Sequence, residues 1–226
     1  MKNTVFVCLI ALASLLATSA KAQSCGNDSI YKLPYKNTYV KSTLAADNEF
    51  RTMRPTYMEI PTFETAKKIL PVPIWAGHEK EIEMYWKAWE IGVGNIRNPQ
   101  PGSGFVSPYI DTAYNGNIFM WDSAFILMFA RYGERFFPFQ KTLDNFYAKQ
   151  HPDGFICREI MANGADCFER YDPTSTGPNL LPWCEMIYYH QFGDTERLHK
   201  IFPALCGYYE WLRLNRTWRN GTYWTS

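Results

Sequence analysis

The sequence has little excess charge, little histidine and no internal repeat. Its 226 residues include 23 Lys or Arg, 22 Asp or Glu and four His, which gives a formal net charge of +1. Such an even balance argues against a nucleic-acid partner and against an anionic membrane surface. A period of about thirty residues, as in tetratricopeptide or ankyrin arrays, is absent, which disfavours an interaction scaffold.

Beyond its first two dozen residues the chain also lacks a long apolar run. No stretch of about 18 apolar residues occurs there, so we predict no membrane-spanning helix. The start is different, since Lys2 is followed by an apolar segment at 5–17 and by Ala20-Lys21-Ala22. This pattern predicts a signal peptide at residues 1–22 and an exported protein, periplasmic or extracellular. The alternative is a lipoprotein anchored through Cys25, although the residues before it make a poor lipobox.

Cysteines are few, and their spacing excludes common cysteine sites. Of the six, Cys8 lies in the predicted signal peptide, and the others are Cys25, Cys157, Cys167, Cys184 and Cys206. This spacing matches neither a zinc site nor a C-x-x-C redox motif. Cys157 and Cys167 are close enough to bridge a short loop in an oxidising compartment. We predict no metal and no cofactor, while a structural calcium held by loop carboxylates would leave no readable pattern.

Apolar and aromatic residues are abundant, at 46% and 17% of the chain, which indicates a folded domain with one sizeable core. Residues 23–60 read as an extended lead-in, and apolar periodicity predicts helices over 63–70, 78–96, 122–132, 136–150, 178–192 and 195–214. The long loops at 98–117 and 161–179 carry acids and aromatics. We therefore predict an all-α fold, a barrel of α-hairpins with its long loops at one end.

The stretch at 114–133, YNGNIFMWDSAFILMFARYG, holds a single carboxylate, Asp122, where a polar loop becomes an apolar helix. A helix apolar on every face is expected to be buried. Burial beside Trp121 would raise the pKa of this carboxyl and make it a proton donor. Alternatively, Asp122 is the N-cap of the helix, where the helix dipole would hold it ionised. The local pattern leaves both interpretations open.

Four stretches in this order, NIFMWDSAF, QHPDGFICRE, DPTSTGPNLLPW and WRNGTYW, resemble the catalytic domain of glycoside hydrolase family sixty-three and its mannosylglycerate-hydrolase-like relatives. The trehalase family shares that fold, a toroid of six α-hairpins. The resemblance covers residues 60–226 and about half of the ring. It implies an incomplete (α/α)6 toroid at 61–226, the N-terminal half of the family's domain, and an inverting glycosidase acting on an α-linked glucoside or mannoside.

Within this resemblance Asp122 matches the family's general acid, and Glu159 lies near the sugar. Residues 176–179 replace a Thr-Gln-Pro-Pro-like stretch, so the contact made by its Gln is displaced. Aromatic side chains that could stack on sugar rings or pack in the core are Tyr114, Phe119, Trp121 and Trp183.

The family's catalytic base, a Glu, lies beyond the equivalent of Ser226. Within the chain the possible substitutes are Glu159, Asp172 and Glu185. The predicted partner is an oligosaccharide or small glycoside. Two other functions stay open: a non-catalytic carbohydrate-binding or degenerate remnant of such an enzyme, and a different toroid enzyme with His151 as base.

Overall fold

The computed structural model describes residues 38–112 and 114–224. The predicted signal peptide, its cleavage site and Cys25 lie outside these residues. About half of the described chain is helical, with seven α-helices and two small antiparallel sheets. The α-helices are α1 Thr43–Ala46, α2 Phe63–Lys67, α3 Glu79–Gly94, α4 Met120–Ala130, α5 Thr142–Ala148, α6 Leu181–Phe192 and α7 Thr195–Asn215. Short 3-10 turns are Glu49–Thr52, Arg131–Gly133, Phe139–Lys141 and Pro173–Ser175.

The fold is a mixed helical one and not all-α, because short strands form within and directly beside the two predicted long loops. Strand β1 (Ile96–Arg97) pairs with β2 (Tyr109–Ile110), and β3 (Ile118–Phe119) pairs with β4 (Glu159–Ile160). Each strand is only two residues long. Such short strands have no measurable period of two, which is why no sheet was predicted from the sequence.

Most predicted helices are present, with shifted ends. α6 stops at Gly193, which takes the left-handed conformation with φ +71°, and α7 is capped by Asp194, whose side chain accepts the N–H of Arg197 at 2.9 Å. α5 is shorter than the predicted 136–150 because Pro138 adopts a non-helical ψ of 70°. That bend buries Phe139 against Trp89, so tertiary packing overrides the helical pattern.

One apolar core joins the elements. α4 packs on α6, α6 on α7, and α1 of the lead-in on α7. The lead-in is tied down by Asn48, whose amide donates to the Tyr147 carbonyl and to Gln150, both buried contacts. The largest fully buried side chains include Trp211, Tyr109, Tyr147, Tyr208, Phe50, Phe105, Phe139 and Phe146. No helix in the described ranges is long and apolar enough to cross a membrane.

α4 is not buried on all faces, contrary to the prediction from its composition. Ala124, Leu127 and Ala130 face the core, while one side of the helix reaches the surface. Its exposed large side chains are Trp121, Phe125, Met128 and Phe129. The apolar residues of α4 therefore form two faces. One face packs in the core, and the other is not covered by any residue that the structure describes.

A charged cluster lies inside the core between α5, α6 and α7. The guanidinium of Arg197 donates to both oxygens of Glu185 at 2.8 Å and to Asp144 at 2.9 Å. Tyr147 and Gln140 donate to Glu185 at 2.8 and 2.9 Å. Burial raises the pKa of Asp144 even though Arg197 acts to lower it. Glu185 is thus a structural residue with 1% exposure, which makes it unsuitable as a solvent-reaching catalytic base.

A hairpin lies near the end of the described chain. Thr217 bridges Tyr223, the N–H of Trp218 donates to the Thr222 carbonyl at 2.8 Å, and Gly221 turns the chain with φ +85°. The predicted bridge between Cys157 and Cys167 is absent. All four cysteines of the described chain, Cys157, Cys167, Cys184 and Cys206, are free thiols.

The partly buried carboxyl of Glu134 makes stability depend on pH. Burial raises its pKa from 4.5 to about 7, although the N–H of Gln140 donates to it at 3.3 Å. The folded chain therefore holds this proton more tightly than the unfolded chain. The resulting stabilisation is complete below about pH 4.5 and is lost as the pH rises through about 7.

We expect Glu134→Gln to remove this part of the pH dependence. Between about pH 5 and pH 8 the wild type should lose about 1–3 kcal/mol more unfolding free energy than the variant. Urea titrations at the two pH values measure the difference. Glu90→Gln, at an exposed acid paired with Lys87, is the control and should match the wild type. Equal losses in Glu134→Gln and wild type would contradict the assignment.

Candidate active site

The position of Asp122 is set by the short ladder that leads into α4. Ile118 pairs with Ile160 and Phe119 with Glu159, and the N–H of Met120 then donates to the carbonyl of Arg158 at 2.8 Å. This ladder connects two chain segments that are about forty residues apart. The first turn of α4 is thereby brought against the segment that contains Arg158.

Asp122 is not the N-cap of α4, because the cap is Phe119 and Asp122 is the third helical residue. Its side chain is exposed and makes no hydrogen bond within the described chain. Both local interpretations therefore need correction: the capping hydrogen bond is absent, and so is the burial on which the proton-donor argument rested. What remains is a free carboxylate at the positive end of a helix.

A small pocket of about 120 Å³ lies beside this carboxylate. It is lined by Phe119, Met120, Trp121, Asp122, Arg158, Gly177 and Pro178. Asp122 is the single acidic residue in this lining. The pocket therefore offers one carboxylate, one guanidinium and an aromatic wall, which are the groups that a hydroxylated ring compound can use.

Arg158 is held in place from two sides. Its Nε donates to the Thr174 carbonyl, and its guanidinium lies 4.5 Å from the centre of the Phe168 ring. The two terminal nitrogens make no hydrogen bond to any residue that the structure describes. Fixed geometry with unused donors suits Arg158 to contact a ligand in the pocket.

Exposed aromatic rings extend on both sides of Asp122. Trp121 lies 5.9 Å from Phe125, and Phe125 lies 6.0 Å from Trp183, measured between ring centres. On the other side Tyr114 lies 5.7 Å from Phe119. Of the four aromatic residues singled out from the sequence, Phe119 and Trp121 line the pocket, whereas Tyr114 and Trp183 lie on its flanks.

Glu159 is adjacent to the pocket but does not line it. Its carboxylate accepts a hydrogen bond from the Asn117 amide at 2.8 Å, and the same amide lies 3.7 Å from the sulfur of Cys167. Burial, with Glu159 as the next contributor, raises the pKa of Cys167 to about 12. Glu159 therefore orders the loop ends on either side of the ladder in this structure.

The other candidate bases, Asp172 and His151, also make hydrogen bonds within the described chain. Asp172 is exposed and caps a 3-10 turn, and the hydroxyl and N–H of Thr174 lower its pKa. His151 has both ring nitrogens occupied, with Nε2 at 2.6 Å from Asp166 and Nδ1 at 2.7 Å from Arg170. Neither residue is placed to activate a water in the Asp122 pocket.

Asp111 is a second unusual carboxyl in the loop that precedes Asp122. Its side chain is fully buried, and burial raises its pKa to about 6 against the opposing charge of Arg97, 3.4 Å away. Neither carboxylate oxygen has a hydrogen-bond partner in the described chain. No group of three or more His, Cys, Asp or Glu that could hold a metal ion occurs among the described residues.

Arg158, Gly177 and Pro178 were not identified as site residues from the sequence. Gly177 and Pro178 belong to the 176–179 stretch that the resemblance had marked as altered. Arg158 had no such signal, because only the pairing of β3 with β4 brings it to Asp122.

Comparison with protein-family models, with curated protein sequences and with solved structures finds no match for this chain. Its function therefore has to be inferred from its residues and their geometry.

Proposed function

We propose that the chain is the N-terminal half of an exported inverting glycoside hydrolase of the α/α-toroid type, acting on an α-linked glucoside or mannoside. The observation that carries the proposal is the free carboxylate of Asp122 in a pocket that is also lined by the rings of Phe119 and Trp121. A sugar ring stacked on Trp121, which is 51% exposed, would bring its glycosidic oxygen to this carboxyl.

In this proposal Asp122 protonates the leaving oxygen, and Arg158 orients ring hydroxyls through its unused donors. An inverting glycosidase also needs a base about 6.5–9.5 Å from the acid, with a water between the two. The pocket lining contains no second carboxylate. The proposal therefore assigns no base among the described residues and, following the resemblance, places it on a segment beyond them.

The same lone carboxylate favours a second candidate, a carbohydrate-binding protein without hydrolytic activity. Both candidate functions use the aromatic wall to bind the sugar, but only the hydrolase cleaves the glycosidic bond. The test is to incubate the full-length protein, including the segment to which the proposal assigns the base, with α-glucosides and α-mannosides and to follow the anomeric protons by NMR. Release of the β-anomer as the first product supports an inverting hydrolase. First release of the α-anomer would contradict inversion, and sugar binding with no release would favour the second candidate.

Trp121→Ala tests the aromatic wall under either candidate. Loss of the stacking surface should raise the Kd or KM for the sugar about 10-fold. Trp75→Ala is the matched control, since Trp75 is similarly exposed at 56% and stacks on His78 at 3.8 Å, and it does not line the pocket. Binding is measured by titration calorimetry. Equal affinities of Trp121→Ala and Trp75→Ala for the sugar would show that Trp121 does not contact it.

A further inference from the structure

A second and larger cavity, of about 380 Å³, lies where the lead-in meets the end of α5. Its lining comes from Arg51, Ala148, Lys149, Gln150, His151, Pro152, Gly164 and Asp166. None of these residues lines the Asp122 pocket. Its volume is within the range of small-molecule sites, which is about 300–1,000 Å³.

Two cations of this lining have no ion-pair partner in the described chain. Arg51 donates from one terminal nitrogen to the Ala45 carbonyl at 2.9 Å, and the Lys149 ammonium donates to the Ser103 carbonyl at 3.3 Å. Each contact anchors the side chain and uses only one of its donors. Arg51 has five N–H donors and Lys149 has three, so most remain for a ligand.

The acidic member of the lining is held by a hydrogen bond from a neighbouring ring. Asp166 accepts a hydrogen bond from Nε2 of His151 at 2.6 Å, while Nδ1 of the same ring lies 2.7 Å from a nitrogen of Arg170. Because a guanidinium can only donate, Nδ1 must accept, and the ring proton is therefore on Nε2. Arg170 in turn lies 3.1 Å from Asp153. His151 is neutral in this arrangement.

This pairing leaves one oxygen of Asp166, Oδ1, without a hydrogen bond in the described chain. The formal charges of the lining are those of Arg51, Lys149 and Asp166, which sum to +1. The cavity thus combines two cationic donors with one free acceptor. An anion without a hydroxyl, such as sulfate, would use only the donors, whereas an anion that also carries a hydroxyl would use both.

We propose that this cavity binds a small hydroxylated organic anion. Arg51 and Lys149 contact its phosphate or carboxylate group, and Oδ1 of Asp166 accepts a hydrogen bond from a neighbouring hydroxyl. Sugar phosphates and sugar acids share this chemistry. The site does not depend on the glycosidase proposal, since the two pockets have no lining residue in common.

The test is titration calorimetry at low ionic strength with four probes: glucose 6-phosphate, gluconate, sulfate and glucose. We expect glucose 6-phosphate or gluconate to bind at least about 10-fold more tightly than sulfate, and glucose not to bind. The tighter of the two organic anions identifies whether the ligand carries a phosphate or a carboxylate. No binding of either, or equal binding of sulfate, would overturn the proposal.

Lys149→Met should weaken binding of the organic anion about 10- to 100-fold, because a hydrogen bond to a charged group is lost. Lys87→Met removes the same charge from an exposed pair with Glu90 and should leave the Kd unchanged. Arg51→Met is the second site variant. Its melting temperature is measured as well, because the change also removes the hydrogen bond from Arg51 to the Ala45 carbonyl. Unchanged affinity in Lys149→Met and Arg51→Met would place binding elsewhere. Any glycosidase activity should be unaltered in Lys149→Met.

Discussion

Replacing Asp122 by asparagine is expected to lower kcat for an unactivated α-glycoside about 10²- to 10⁴-fold, the range typical of a lost general acid. Asparagine keeps the size of the side chain but has no acidic proton to transfer to the leaving oxygen. Asp122 is exposed and has no hydrogen bond within the described chain, so the variant should fold normally. Kinetic assays of Asp122→Asn in the full-length protein, under the conditions that give wild-type turnover, measure the effect.

A substrate with a good leaving group provides the internal control. Hydrolysis of an α-glycosyl fluoride needs little protonation of the leaving group, so Asp122→Asn should keep most of its turnover on this substrate. Glu169→Gln is the control variant, because Glu169 is an exposed acid on the same long loop as Gly177 and Pro178. Loss of turnover on both substrates to the same degree would indicate a binding role for Asp122, and normal turnover on both would remove it from the mechanism.

Arg197→Met is expected to give the largest loss of stability, about 3–5 kcal/mol of unfolding free energy. The reason is that Asp144 and Glu185 would be left as buried carboxylates without a cation. Glu185 would keep its hydrogen bonds from Tyr147 and Gln140, which cannot neutralise a charge. Urea titration near neutral pH measures the loss.

Lys200→Met, on the same helix, is the matched control. Its ammonium lies 3.6 Å from the exposed Glu49, and surface pairs of this kind contribute about 1 kcal/mol or less. The combined change Arg197→Met with Glu185→Leu should recover part of the loss. The double variant removes the Glu185 carboxylate together with the cation, so only Asp144 is left as an uncompensated buried charge. A loss in Arg197→Met as small as in Lys200→Met would show that the cluster is not needed for stability.

Local signals explain which helices the sequence predicted well. α3 has a clear apolar period, and its ends differ from the prediction by only a residue or two. The boundary between α6 and α7 could be predicted because both of its signals are local. Gly193 ends α6 through its left-handed backbone, and Asp194 caps α7 with its side chain. Such signals need no knowledge of the rest of the chain.

Tertiary pairing explains what the sequence could not predict. Phe119 is the N-cap of α4 because β3 leads into the helix after pairing with β4, and neither two-residue strand has a sequence signature. The predicted N-cap was therefore wrong by three residues. Arg158 enters the pocket through the same pairing. Of the residues predicted to contact a sugar, Phe119 and Trp121 line the Asp122 pocket, whereas Tyr114, Glu159 and Trp183 do not.

The free thiols have a consequence for producing the protein. Cys157 and Cys184 are buried, and burial raises the pKa of Cys184 and of Cys167 to about 12, so these thiols carry almost no thiolate at neutral pH. Thiolate is the form that reacts with oxidants and exchanges with disulfides. The described part of the chain reaches its structure without a covalent cross-link. It is therefore suited to expression in a reducing cytosol, without oxidative refolding or a disulfide isomerase.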